Sequence, residues 1–142
     1  MRDRWKKICT FAALPLLVCA GIIGTSSTPA HATGSSCGVP VFPYYVRLCI
    51  TVVGGGDYIS YVTATMTSQD PPPQADGHVQ ITGPTGATLC NSGTRYFGSP
   101  GETETCTWTL NAETLTGNYC AHAWIYDGGY FPSGDACVNV WV

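Results

Sequence analysis

Beyond residue 45 the chain is written in short runs where apolar and polar positions alternate with a period of two. Residues 103–110 show this most clearly: Thr103, Thr105, Thr107 and Thr109 fall on one face, and Glu104, Cys106, Trp108 and Leu110 on the other. In 118–126, Tyr119, Ala121, Ala123 and Ile125 share one face, while Cys120, His122, Trp124 and Tyr126 share the other. Both of these faces carry large side chains, so a central strand covered on two sides is expected. Runs rich in β-branched and aromatic residues recur at 45–53, 58–67, 77–82, 87–90 and 136–142. No apolar pattern of period 3.6 persists for three turns, so seven strands in a two-sheet sandwich are predicted and long helices are not.

The breaks between runs carry turn chemistry. Gly54-Gly55-Gly56-Asp57 and Gly83-Pro84-Thr85-Gly86 read as hairpin turns, Pro71-Pro72-Pro73 as a break between strands, and Asp127-Gly128-Gly129-Tyr130 as a third hairpin turn. Leu115-Thr116-Gly117-Asn118-Tyr119 resembles the L-x-G-x-Y tyrosine corner of immunoglobulin-like sandwiches. The predicted class is therefore all-β, a seven-stranded immunoglobulin-like two-sheet sandwich, although Cys120 directly after the tyrosine departs from the immunoglobulin cysteine spacing. The predicted core is Val62, Val79, Ile81, Trp108, Leu110, Tyr119, Trp124, Ile125, Val138 and Val140.

The first part of the chain reads differently. Residues 1–7 carry four cations and one acid, residues 8–23 are mostly apolar and uncharged, and Ala30-His31-Ala32 has the small-x-small pattern of a signal-peptidase site. The apolar run is short for a bilayer span, so 1–32 is predicted to be a signal peptide, 33–46 an extended proline-containing segment, and 47–142 the sandwich domain of a secreted protein. From Thr33 the cations are Arg47 and Arg95 against eight acids, a net charge of −6. Such a balance cannot neutralise a row of phosphates, which argues against nucleic acid or an anionic membrane as partner.

Six cysteines remain after the leader, at 37, 49, 90, 106, 120 and 137. An even count in an exported chain favours three disulfides over metal thiolates. Six cysteines permit many pairings; the turn at 127–130 places Cys120 opposite Cys137, and sequential pairing would add Cys37–Cys49 and Cys90–Cys106.

Catalytic and metal constellations were sought in the same residues. No G-x-S-x-G is present, and His78 and His122 are the imidazoles left after the leader. His122 reads as a packed strand residue and His78 as a strand-start residue. Glu102 and Glu104 have a spacing compatible with a carboxylate pair, but the small chain offers little cleft around them. Zinc lacks closely spaced ligands, and Asp70, Asp76, Asp127 and Asp135 read as solvated loop acids, so no catalytic residue, metal or cofactor is assigned.

Aromatic residues near the turns point to recognition instead: Tyr126 to Phe131 at one loop, Tyr96-Phe97 at another. The apolar, proline-interrupted segment containing Val41, Phe42 and Tyr44 is a second candidate. Val41, Phe42, Tyr44, Tyr126, Tyr130 and Phe131 are therefore the candidate partner-binding residues.

The stretch Gly77-His78-Val79-Gln80-Ile81-Thr82-Gly83-Pro84-Thr85-Gly86, the L-x-G-x-Y-C turn and Cys137 near the end resemble small secreted six-cysteine proteins of filamentous actinobacteria, among them the adaptor subunit of umbrella toxin particles. That resemblance implies a non-catalytic adaptor joining a lectin subunit to a large toxin-bearing protein in a secreted antibacterial assembly. A carbohydrate or cell-wall binding module and an inhibitor of a secreted hydrolase are the alternative expectations.

Overall fold

A computed structural model describes residues 33–38, 44–56, 58–113 and 116–141, without the side chains of 111–113 and 131. The leader, the cleavage position, Val41, Phe42, Asp57 and Leu115 lie outside the described residues. Nine strands are present: β1 (Gly34–Cys37), β2 (Val46–Gly55), β3 (Tyr58–Ser68), β4 (Ala75–Thr82), β5 (Thr88–Asn91), β6 (Arg95–Phe97), β7 (Thr103–Glu113), β8 (Gly117–Tyr126) and β9 (Tyr130–Val140). The seven expected strands are all there. Two short ones, β1 and β6, are additional.

Two antiparallel sheets form the sandwich, one in the order β1-β2-β3-β7 and the other β5-β4-β8-β9, with β6 also paired to β4. Counted without β1 and β6, the second strand (β3) lies beside the fifth (β7) as in the immunoglobulin order, but the fourth (β5) pairs with β4 in the other sheet rather than lying beside β7. Alternation sets which faces meet. Val46, Leu48, Ile50, Val52, Ile59, Val62, Ala64 and Met66 of one sheet pack on Val79, Ile81, Tyr119, Ala121, Ala123, Ile125, Val138 and Val140 of the other.

Three expected core residues need correction. Trp124 lies on the outer face of its sheet and is half-buried, because it shares parity with Cys120 and His122 rather than with the buried Ile125. Trp108 and Leu110 do face inward, but at the sandwich edge, where they remain half-exposed. Phe97, expected to take part in recognition, is fully buried: β6 pairs with β4 through Ala75 and Phe97 and turns this ring into the core.

The expected turns at 83–86 and 127–130 form as read, whereas Gly54 and Gly55 of the expected 54–57 turn belong to β2 and pair with Ile59 and Tyr58. Gly83 N–H donates to Ala87 O and Gly86 N–H to Gly83 O, both at 2.9 Å, with Gly86 at a φ of 79° that a β-carbon would disfavour. Asp127 N–H bonds Gly129 O at 2.9 Å in the β8–β9 hairpin. All three sequential disulfides are present, Cys37–Cys49, Cys90–Cys106 and Cys120–Cys137. The first and last link residues directly opposite each other in the β1–β2 and β8–β9 ladders. Cys90–Cys106 instead ties β5 of one sheet to β7 of the other.

Candidate functional site

The outer face of the β5-β4-β8-β9 sheet holds the largest concentration of chemically capable side chains. Register explains why. His78 pairs with Trp124, Gln80 with His122, His122 with Asp135, and Tyr126 with Tyr130, so residues far apart in sequence form adjacent rows.

At the end of this face near the β8–β9 turn, four rings pack together. His78 stacks on Trp124 with centroids 6.3 Å apart and planes inclined by 15°. Tyr130 meets the edge of His78 at 4.7 Å and that of Tyr126 at 5.2 Å, both near-perpendicular contacts of the favourable kind. Burial among these rings holds the His78 imidazole below its ordinary value, so it is a neutral ring at neutral pH. Yet Tyr126 and Tyr130 remain 46% and 47% exposed, and neighbouring Tyr96 is 54% exposed, so the cluster presents tyrosine faces to solvent. Thr94 Oγ1 and Tyr130 Oη lie 3.2 Å apart, and the Tyr96 hydroxyl donates to Gln74 at 3.1 Å. Inside the cluster the indole N–H of Trp124 is buried and has no hydrogen-bond partner among the described residues.

Tyr44 joins this corner from the other side. Its hydroxyl donates to Asp127 Oδ2 at 2.6 Å, and that bond to a carboxylate raises the phenol above its ordinary value. Tyr44 is thereby tied to the same turn that carries Tyr126 and Tyr130. Of the residues expected to bind a partner, Tyr44, Tyr126 and Tyr130 converge. Phe131 pairs its backbone with Ile125, and its side chain is outside the described set.

One row further along the sheet, Asp135 Oδ1 lies 2.7 Å from His122 Nδ1, and His122 Nε2 lies 3.0 Å from Thr82 Oγ1. The carboxylate accepts from Nδ1–H, and the Nε2 contact ties the ring to Thr82, whose hydroxyl also lies 3.5 Å from Cys120 O. This carboxylate–imidazole–hydroxyl order is shared with nucleophile relays. A relay also needs N–H donors aimed at an oxyanion, but on this face the strand amides point sideways into the ladders. What the geometry does provide is a clamp across β9, β8 and β4. His122 was read as a packed, hydrogen-bonded residue, and that is how it sits.

Glu102 does not form a pair with Glu104. It accepts from the N–H groups of Gly98 at 2.7 Å and Ser99 at 2.9 Å and lies 3.8 Å from Arg95, and the two backbone donors hold its carboxyl below the usual range. Among the described residues, no three His, Cys, Asp or Glu side chains come together in a group that could hold a metal ion. No described helix is long and apolar enough to cross a membrane.

Sequence reasoning left His78, Trp124 and Thr94 out of the candidate set. The signal for Trp124 was present, since alternation places it with His122 and Tyr126. What was missing was the pairing of β4 with β8, which brings His78 beside it. Searched against protein families, curated proteins and solved structures, the chain matches none.

Proposed function

We propose that this is a secreted binding protein that acts as an adaptor, docking a protein partner on the tyrosine-rich corner formed by Tyr44, Tyr126, Tyr130 and Tyr96. The observation that supports this most directly is the packing of exposed tyrosines on a half-buried His78–Trp124 stack. Tyrosine anchors held by neighbouring rings lose little entropy on binding and are enriched at interface centres. The three disulfides fit an oxidising, extracellular setting. In its fuller form, the proposal places the protein between a lectin subunit and a toxin-bearing subunit of a secreted antibacterial particle, as the resemblance of the 77–86 stretch suggests.

A pull-down with the tagged mature protein from the producing organism's culture supernatant, read by mass spectrometry, tests both levels. Recovery of a lectin-like subunit and a large toxin in fixed proportion, reduced at least tenfold by Tyr126→Ala with Tyr130→Ala, is the expected result. Recovery of the protein alone removes the adaptor reading. A second reading as a glycan-binding module draws support from the polar fringe of the same rings, Thr94 and Gln74 included. Retention on insoluble glycans that is lost in the same double variant would favour it.

A further inference from the structure

An adaptor requires a second surface, and the molecule has a different kind of binding feature at the opposite end. Strand β7 has one neighbour, β3, and its other edge is unpaired among the described residues. The direction of its backbone groups follows from the flanking bonds. Ser68 N–H donates to Glu102 O at 2.9 Å on the β7 side, whereas Gln69 N–H donates to Tyr45 O at 2.8 Å on the β2 side. Even-numbered residues of β3 therefore bond toward β7. In the register Met66↔Glu104, Ala64↔Cys106 and Val62↔Trp108, the even residues of β7 complete those bonds. Thr103, Thr105, Thr107 and Thr109 must then turn their N–H and C=O groups outward, to the free edge. The side chains agree: Thr63 and Thr107 hydroxyls lie 3.0 Å apart and those of Thr65 and Thr105 3.3 Å apart, as the closer, non-hydrogen-bonded pairs of an antiparallel ladder should be.

Directly beneath this edge is an apolar cleft of about 260 Å³ lined by Pro84, Leu89, Trp108, Leu110 and Tyr119. Trp108 and Leu110 are the inward-facing residues of β7 itself, so an added strand would send alternate side chains toward this cleft and toward the threonine face. Along β8, Tyr119 at the cleft and Tyr126 at the ring cluster are seven residues apart, about 23 Å at roughly 3.3 Å per residue.

We infer that β7 accepts an extended segment of a partner protein as an additional strand, with one large apolar side chain of that segment seated between Leu89, Trp108 and Leu110. Unpaired main-chain groups supply affinity and the cleft supplies selectivity, which is the division of labour in strand addition. A second copy of this chain does not meet both demands. In a symmetric β7–β7 pairing the inward side chains offered would be Trp108 and Leu110, which already line the cleft and cannot also fill the partner's. Glu104, half-exposed at one end of the edge, favours a cation on the incoming segment. The inference adds to the adaptor reading but does not rest on the tyrosine corner.

The test pans a phage-displayed library of random linear peptides on the full mature protein, with the Leu89→Lys variant as counter-selection. Enriched peptides, made synthetically, are measured by calorimetry. Peptides with an apolar residue in alternating, β-prone sequence are expected, with 1:1 stoichiometry and hydrogen-exchange protection of the Thr105, Thr107 and Thr109 amides in the complex. Thr107→Pro removes an outward N–H while leaving the β3 pairing in place, and should weaken binding about tenfold or more, while Thr107→Ala should change it by less than about threefold. Tyr126→Ala with Tyr130→Ala should leave this affinity unchanged, which separates failure here from failure of the tyrosine corner. The inference is overturned by enrichment no greater than on Leu89→Lys, by peptides indifferent to Thr107→Pro, or by self-association through β7 in place of peptide binding.

Discussion

The Cys90–Cys106 disulfide is the covalent link between the two sheets among the described residues, and removing it should reveal what the core alone sustains. The perturbation is the double substitution Cys90→Ala, Cys106→Ala, chosen because Cys106 is 2% exposed and a polar replacement would add an unrelated burial cost. The bond spans a sequence separation of 16, for which restriction of the unfolded chain amounts to about 3 kcal/mol. A domain of this size unfolds with an entropy near 230 cal/mol/K, so the same loss should lower Tm by about 13 °C. Calorimetry gives Tm, and urea unfolding gives the free energy independently of temperature. Because the constraint acts on the unfolded chain, its removal should also raise the denaturant slope. A Tm within about 3 °C of the parent with an unchanged slope would refute the reasoning, and would mean that packing across the sheets holds the β5–β7 edge closed without the bond.

Three further outcomes follow from the buried and hydrogen-bonded groups. Ile81→Ala, at a fully buried site beside Ala121 of β8 and facing the other sheet, should cost about 3 kcal/mol in urea unfolding, and a loss under about 1 kcal/mol would mean that the two sheets close over the vacated space. Because burial holds the folded His78 below 6.5, the unfolded chain takes up the proton first as pH falls; the stability from this group is complete above about pH 6.5 and declines as pH drops through the folded value. His78→Gln should flatten the Tm–pH curve in that window, and an unchanged curve would contradict the packing described for the ring. Glu102, also held low, contributes stability that is full above about pH 4.5 and is lost as pH falls through its folded value, so Glu102→Gln should remove acid sensitivity there while leaving the region near pH 6.5 as it was.

Where one period of alternation could be read along a single strand, the sequence was sufficient. The threonine face of β7 and the Tyr119, Ala121, Ala123, Ile125 face of β8 sit as the pattern requires, and the turns at 83–86 and 127–129 follow from their Gly and Pro residues. The disulfides were legible because two of them join strands across short connections. What could not be read was set by pairing between strands distant in sequence. Trp124 looked like a core residue because both faces of 118–126 carry large side chains and the strand was expected to be covered on two sides, but only the Ile125 face meets the other sheet, and on the outer face His78 stacks on Trp124. β6 was missed because three residues carry no period, and Phe97 becomes a core residue only once β6 lies beside Ala75. The free edge of β7 is likewise invisible to pattern, since an edge is a property of what a strand lacks as a neighbour.

Strand β8 explains how a small chain can hold a cluster of exposed tyrosines rigid. Its inner face fills the core between the sheets, and its outer face carries, in order, the Cys120–Cys137 bond, the Asp135–His122–Thr82 clamp and the Trp124–His78 stack beneath Tyr126 and Tyr130. Each row fixes the next, so the tyrosines stand on side chains that are themselves held from both neighbouring strands. The ordering cost that flexible loop tyrosines would meet on binding is largely met during folding. The unpartnered indole N–H of Trp124 is the exception in this tightly satisfied row. A buried donor without an acceptor opposes folding by about 1–3 kcal/mol, and this one lies in the cluster that carries the exposed Tyr126 and Tyr130. Because that N–H is buried, a partner seated on the exposed tyrosines would not reach it, whereas the outward amides of β7 stay open to the added strand proposed above.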